Sequence, residues 1–360
     1  MAQSFDLGSA PVLDFPSSSG ASRDAAPDES GPVRIADRMP APPTGVDVIP
    51  VSYDAIYTWQ YDVQRADLRA LYEKSKDMMW NARTDLPWAT DVDPESTNVP
   101  DQFCPIYGSH LWDKLNPAEV KKLRRLSSSY LLSNFLHGEQ GALLAAAQIV
   151  GAVPSADAKF YAATQVMDEA RHVEAYDRYL REKIGLTFPI SPHLRTLLDE
   201  ILRESRWDMK YLGMQIMVEG LALAAFGFIT QTSSEPLIRQ IVEMIVRDEA
   251  RHVAFGVLSL KGIYSEMSES ELRDREEFII EASRLMRDRL LMQEVWQYMD
   301  MPADECVEIS LRSESMAMFR TLLFSKIVPN VKRLGLLTPR VRKAFEELGV
   351  IQFETWEPSA

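Results

Sequence analysis

The sequence predicts an all-α protein built around a helical bundle, and three observations carry that expectation. From Pro117 onward apolar residues recur at helical spacing, and no segment shows convincing strand alternation. The starts of these segments carry helix-capping chemistry, such as Asn116 before Pro117 and Ser155 after Pro154. Finally, the pentapeptide Asp-Glu-Ala-Arg-His occurs twice, at 168–172 and 248–252, each time inside a helical stretch.

In chain order, residues 1–50 are rich in Pro, Ser, Ala and Asp with little apolar periodicity, and are expected to be a disordered tail. A single helical domain is expected over 51–350, with its core at about 117–264. Within it, 55–80 has helical spacing and 81–105 reads as irregular and Pro-punctuated. Long helices follow over 117–150 and 156–184, a shorter one near 194–204, and two more over 207–230 and 237–264. Two or three helices are expected within 269–334, then a short one from Thr338. Residues 351–360 form a C-terminal tail.

Composition excludes several functions. The net charge of −14, with no Lys/Arg-rich run, speaks against a nucleic-acid surface. Two cysteines, Cys104 and Cys306, make neither a disulfide framework nor a metal knuckle. The first twenty residues lack the basic and apolar regions of a secretory signal. The most apolar run, "ALLAAAQIVGAV", is too short to span a bilayer. A soluble, cytoplasmic protein without membrane contact is expected.

The repeated pentapeptide belongs to a longer duplication. Glu139 precedes Glu169 by the same interval that separates Glu219 from Glu249, and each half also places a histidine three residues after its second glutamate. Each half therefore reads as a hairpin whose break, near Pro154 or at 233–236, lies midway between its two glutamates. Equal runs up and back return those glutamates to one height, and His172 and His252 share a helix face with Glu169 and Glu249. Four inward carboxylates would repel one another unless a counter-charge sits among them. Two divalent cations balance Glu139, Glu169, Glu219 and Glu249, with one imidazole, His172 or His252, for each metal. A single E-x-x-H is usually a solvated surface pair. Two copies, each paired with a glutamate in an apolar helix, favour the metal site.

These residues resemble the diiron-carboxylate proteins of the ferritin-like superfamily, in which two helices each give a Glu and two give Glu-x-x-His. The resemblance covers roughly 117–264 and implies a ferritin-like four-helix core with additional flanking helices. The branch it matches includes the ribonucleotide reductase small subunit, acyl-carrier-protein desaturases and monooxygenase hydroxylases. It implies hydrogen bonds from His172 to Asp248 and from His252 to Asp168, with Arg171 and Arg251 holding those aspartates. Tyr176 stands where the reductase subunit carries its radical tyrosine, which makes it a candidate redox-active residue beside the plainer assignment as a core tyrosine.

The resemblance implies two Fe ions, manganese not being excluded, that activate dioxygen to oxidise, by hydroxylation or another oxygenation, a small organic substrate. No flavin, nicotinamide or iron–sulfur motif is present, so a separate electron donor, a reductase or ferredoxin, is implied, and a homodimer is the usual assembly. The competing readings are a radical generator, a desaturase and a non-catalytic iron-binding bundle. Ala222 and Leu223 replace the threonine that monooxygenases and desaturases place near the oxygen pocket. Aminobenzoate N-oxygenases resemble the chain in their two E-x-x-H motifs but add a histidine one turn before the second Glu. Ile245 occupies that position, which speaks against that subgroup.

Overall fold

The computed structural model describes residues 45–95 and 99–356. The expected tail lies outside the described residues up to position 44; beyond it, Asp47 already pairs with Arg195 at 2.7 Å. Among the described residues the elements are helical throughout. They begin with α1 (Ala66–Asp77), α2 (Pro117–Ala152), α3 (Ala156–Tyr179), α4 (Pro192–Arg203) and α5 (Trp207–Tyr211). A π-helical segment, Leu212–Val218, leads into α6 (Glu219–Thr232), which is followed by α7 (Pro236–Leu260). Then come α8 (Glu269–Asp288), α9 (Gln293–Tyr298), α10 (Ala303–Arg312), α11 (Glu314–Leu323), α12 (Ile327–Arg333) and α13 (Pro339–Glu347).

Local chemistry sets the boundaries of the long helices. Asn116 and Glu119 form a reciprocal capping box at the start of α2, with Pro117 supplying a preset first turn. Ser155 accepts from Ala158 at the start of α3, and Glu235 accepts from the amides of Leu237 and Ile238 at the start of α7. The α2–α3 and α6–α7 hairpins pack together as the four-helix core, with α1 laid across α3 and α7. The long apolar stretch Trp207–Thr232 could cross a membrane by length and composition, but it is largely buried inside this core.

Three expectations need correction. The helical spacing over 55–80 yields a helix only from Ala66. Upstream, the chain is held extended against the α2–α3 turn by Ile56 N–H to Gly151 O at 2.8 Å and by Thr58 Oγ1 to Pro154 O at 2.6 Å. Five helices, α8 to α12, occupy 269–334 in place of two or three; turns at Met292 and Asp300, both at positive φ, set off the six-residue α9. The 207–230 helix contains the π segment, whose wider turns spacing alone did not signal.

Candidate metal centre

All six expected side chains meet inside the four-helix core. Glu139 on α2, Glu169 and His172 on α3, Glu219 at the start of α6, and Glu249 and His252 on α7 are all buried. They form two overlapping groups, Glu139–Glu169–His172–Glu249 and Glu169–Glu219–His252, whose potential ligand atoms lie within 4.8 Å of one another. His172 Nδ1 is 3.3 Å from Glu139 and Glu169 and 3.2 Å from Glu249. His252 Nδ1 is 3.2 Å from Glu169 and 3.5 Å from Glu249. Glu169 and Glu249 therefore lie between the two rings, while Glu139 belongs to the first group and Glu219 to the second.

The neighbouring residues cross between hairpins. His172 Nε2 is 3.1 Å from Asp248, and His252 Nε2 is 3.2 Å from Asp168. Arg171 pairs with Asp168 and, at 3.1 Å, with Asp248; Arg251 pairs with Asp248 and, at 3.7 Å, with Asp168. Trp80, which precedes the bundle in sequence, donates its indole N–H to Asp248 at 2.7 Å. With each Nε2 turned to an aspartate, both Nδ1 atoms face the glutamates.

The electrostatics follow from packing four carboxyls and two imidazoles into one buried cluster. Burial, reinforced by the like charge of Glu249, pushes the carboxyls of Glu139 and Glu219 well above the usual range. Burial also opposes ionisation of Glu169, but His252 and His172 outweigh it and hold that carboxyl well below the range. Burial likewise opposes charge on the two rings, yet the surrounding carboxylates raise both well above ordinary histidine. Glu169 Oε2, Glu219 Oε2, both carboxylate oxygens of Glu249 and His252 Nδ1 are buried without a hydrogen-bond partner among the described residues. Hard carboxylate oxygens with imidazole nitrogens suit iron or manganese, so the residues present fit a dinuclear centre.

Two glutamines escaped the sequence reading. Gln165 donates through Nε2 to Glu169 at 3.1 Å and to Glu219 at 2.7 Å. Its Oε1 accepts from Gln215 at 3.3 Å, and Gln215 lies in the π segment. Gly256 on α7 admits this segment: a Cβ there would stand 2.5 Å from Gln215 Cβ. Each glutamine lies four residues before a glutamate of the cluster, a spacing that could have revealed them.

The opposite side of the cluster is apolar. Phe135, Tyr176 and Phe226 form a buried trio with ring centroids 4.8 to 6.2 Å apart, and Ile245 is fully buried. The Tyr176 hydroxyl has no hydrogen-bond partner among the described residues, and burial, then Glu139 and Glu249, pushes its pKa well up. The small residues near the ligands serve packing at Gly141, where Leu198 leaves no room for a Cβ, whereas Gly138 faces open space.

The fold and this site together define a helical dinuclear-metal carboxylate protein. The profile of the p-aminobenzoate N-oxygenase AurF family matches residues 62–335, and the chain belongs to that family. It is accordingly an O2-dependent diiron oxygenase. Among solved structures, dimanganese(II)-NrdF from Streptococcus sanguinis aligns at 15% identity over 81% of this chain and 99% of that one, with a TM-score of 0.51. An R2-like ligand-binding oxidase with a Mn/Fe cofactor aligns at 17% identity over 73% and 94%, with a TM-score of 0.45. No curated protein matches the chain. The family match corrects the inference drawn from Ile245. Three carboxylates and one imidazole form one group and two carboxylates and one imidazole the other, so a missing additional histidine still leaves two groups that could each hold a metal ion.

Proposed function

We propose that this protein transfers oxygen from dioxygen to the nitrogen of an aromatic amine. The convergence of Glu139, Glu169, His172, Glu219, Glu249 and His252 in one buried cluster, inside the span matched by an N-oxygenase family, carries this reading. Two irons held by these six residues would supply the chemistry that binds and reduces dioxygen. Asp248 and Asp168 orient the imidazoles so that Nδ1 faces the cluster, and ion pairs with Arg171 and Arg251 hold those aspartates in place. Gln165 orients Glu169 and Glu219. The apolar side at Phe135, Tyr176, Phe226 and Ile245 excludes water and suits the approach of an arene. Electrons come from a separate reductase or ferredoxin, the chain acts in the cytoplasm, and a homodimer is the working assembly.

The test is anaerobic reconstitution with ferrous iron, chemical reduction, and exposure to 18O2 with a panel of anilines. Mass spectrometry should find label in a hydroxylamine, nitroso or nitro product, and none with Glu169→Ala. Two irons per chain and full oxygen uptake without any labelled nitrogen product would sink the reading. A sharp tyrosyl signal in that case would redirect it to a radical generator.

A further inference from the structure

A partly open cavity lies at the end of the bundle toward which the apolar side of the cluster faces. It has room for about 90 Å³ and is lined in part by Phe103, Trp112, Leu131, Ile229, Ile238 and Phe319. Helical register places it. Asn134 in its wall lies five residues before Glu139, about 8 Å along the helix axis, and Ile238 lies eleven before Glu249, about 16 Å. Phe135 stands four residues before Glu139, while Tyr176 and Phe226 stand seven after Glu169 and Glu219. The aromatic trio thus sits between cavity and cluster. The other end of the cluster is occupied by the Gln165–Gln215 amide pair, which leaves the trio as the apolar route inward.

The charge on the cavity wall is closed. Asp101 and Arg124 pair bidentately, at 2.9 and 2.6 Å, and are the wall's only charged residues among those described. Burial pushes the Cys104 thiol up to about 12, so it is neutral. The remaining polar groups are uncharged: Ser127, whose buried hydroxyl has no partner among the described residues, with Ser128, Tyr130 and Asn134. Met292 in the same wall holds a left-handed backbone at φ 59, a conformation that costs a non-glycine residue about 1 kcal/mol or more and tends to mark functional walls. Arg289, buried beside Tyr130 and ion-paired to no carboxylate among the described residues, is not part of the wall.

We infer that this cavity is the chamber that admits and selects the substrate, and that it takes an uncharged arylamine in preference to one bearing a carboxylate. The inference rests on the N-oxygenase reading and adds the charge of the substrate to it. An unpaired carboxylate in such a wall loses its hydration without gaining a cation, and should bind roughly 100-fold more weakly than its ester.

The experiment is calorimetric titration of the iron-loaded protein with methyl 4-aminobenzoate and with 4-aminobenzoate. The ester should bind, the acid should bind about 100-fold more weakly, and Ile238→Trp, which fills the cavity, should weaken the ester about tenfold or more. Soaking wild-type crystals with 4-bromoaniline should put the anomalous bromine peak between Phe103 and Phe319, a readout independent of whether Ile238→Trp folds. Equal or tighter binding of the acid overturns the inference, most directly if Arg289→Met abolishes it. So does bromine bound elsewhere, or ester binding that a folded Ile238→Trp leaves unchanged. Two irons per chain with no ester binding sink the chamber alone. A chain that binds the ester in this cavity but holds no iron sinks the N-oxygenase reading alone.

Discussion

Replacing Gln165 with leucine tests whether the two metal positions are separable. The substitution keeps the side chain's approximate volume and deletes two hydrogen bonds, one to Glu169 at 3.1 Å and one to Glu219 at 2.7 Å. Hydrogen bonds to charged groups contribute about 1.5–3 kcal/mol each, but a carboxylate bound to metal has already shared its charge, so the pair together should lose about 1.5–3 kcal/mol. At 1.4 kcal/mol per tenfold that is roughly 10- to 100-fold in metal affinity, the range typical of groups that orient ligands. Because Glu219 belongs only to the group completed by His252, while Glu169 belongs to both, the larger share of the loss should fall on that one metal. Anaerobic titration with ferrous or manganous ion should show the second equivalent weakened by about that factor and the first by distinctly less. Gln165→Glu, which puts an acceptor where the N–H donor stood, should not restore these hydrogen bonds or recover the second equivalent. Equal weakening of both equivalents, or no change in either, would refute the division of the cluster into an α2-side and an α6-side position.

Gly256→Ala should drive its new methyl into Gln215, displacing the π segment and Glu219. A destabilisation of about 1–3 kcal/mol and loss of the second metal before the first are expected, read by thermal melts and metal titration. Chelation should lower the melting temperature of the iron-loaded protein, because ligand at 1,000 times Kd stabilises by about 4 kcal/mol per site; an unchanged melt would mean the glutamates are satisfied without metal. Tyr176→Phe should retain arylamine oxygenation within about threefold, its ring contacts with Phe135 and Phe226 being preserved; complete loss would restore a redox role for the hydroxyl. Lys210 is buried, and burial lowers its amine to about 8 despite bonds to Gln148, Ile201 and Leu202. Between pH 8 and 10.5 the unfolded chain holds a proton the folded chain does not, so wild-type stability should rise with pH by up to about 3 kcal/mol across that window. Lys210→Met should lack that slope in denaturant titrations.

The symmetric part of the site was legible because duplication writes the same constraint twice. An offset of 80 residues carries Glu139 to Glu219, Glu169 to Glu249 and His172 to His252, and antiparallel packing brings the copies to one level. What stayed illegible was the departure from that symmetry. Adding the same offset carries Gln165 to Ile245 and Phe135 to Gln215, so each hairpin has one amide where its copy has an apolar side chain. Neither glutamine forms a motif alone, and the π turn that aims Gln215 depends on room at Gly256, a tertiary condition that local spacing does not encode. Ile245 was read as a missing ligand, which counted against a family the chain belongs to.

In the fold, Ile245 has a different meaning. In the register of α7 it lies on the same side of the cluster as Phe135, opposite Gln165 and Gln215. Four inward positions, one turn from the ligands on four helices, are thus sorted into two apolar and two amide residues, and the sorting follows the bundle axis. One consequence is electrostatic: hydrogen-bond donors reach Glu169 and Glu219 from one end only, so the cluster's two carboxylate pairs are held unequally before any metal arrives. The other is steric: an arene can approach over Ile245 and Phe135, whereas the amide pair closes the opposite end. Ile245→His would add a nitrogen donor beside Glu249 and a polar group in the apolar route. Tighter metal binding together with weaker arylamine binding is the expected result, because both follow from that one side chain's position. If metal affinity rose while arylamine affinity, measured by calorimetry, stayed unchanged, the apolar face would not be the substrate's side of the cluster.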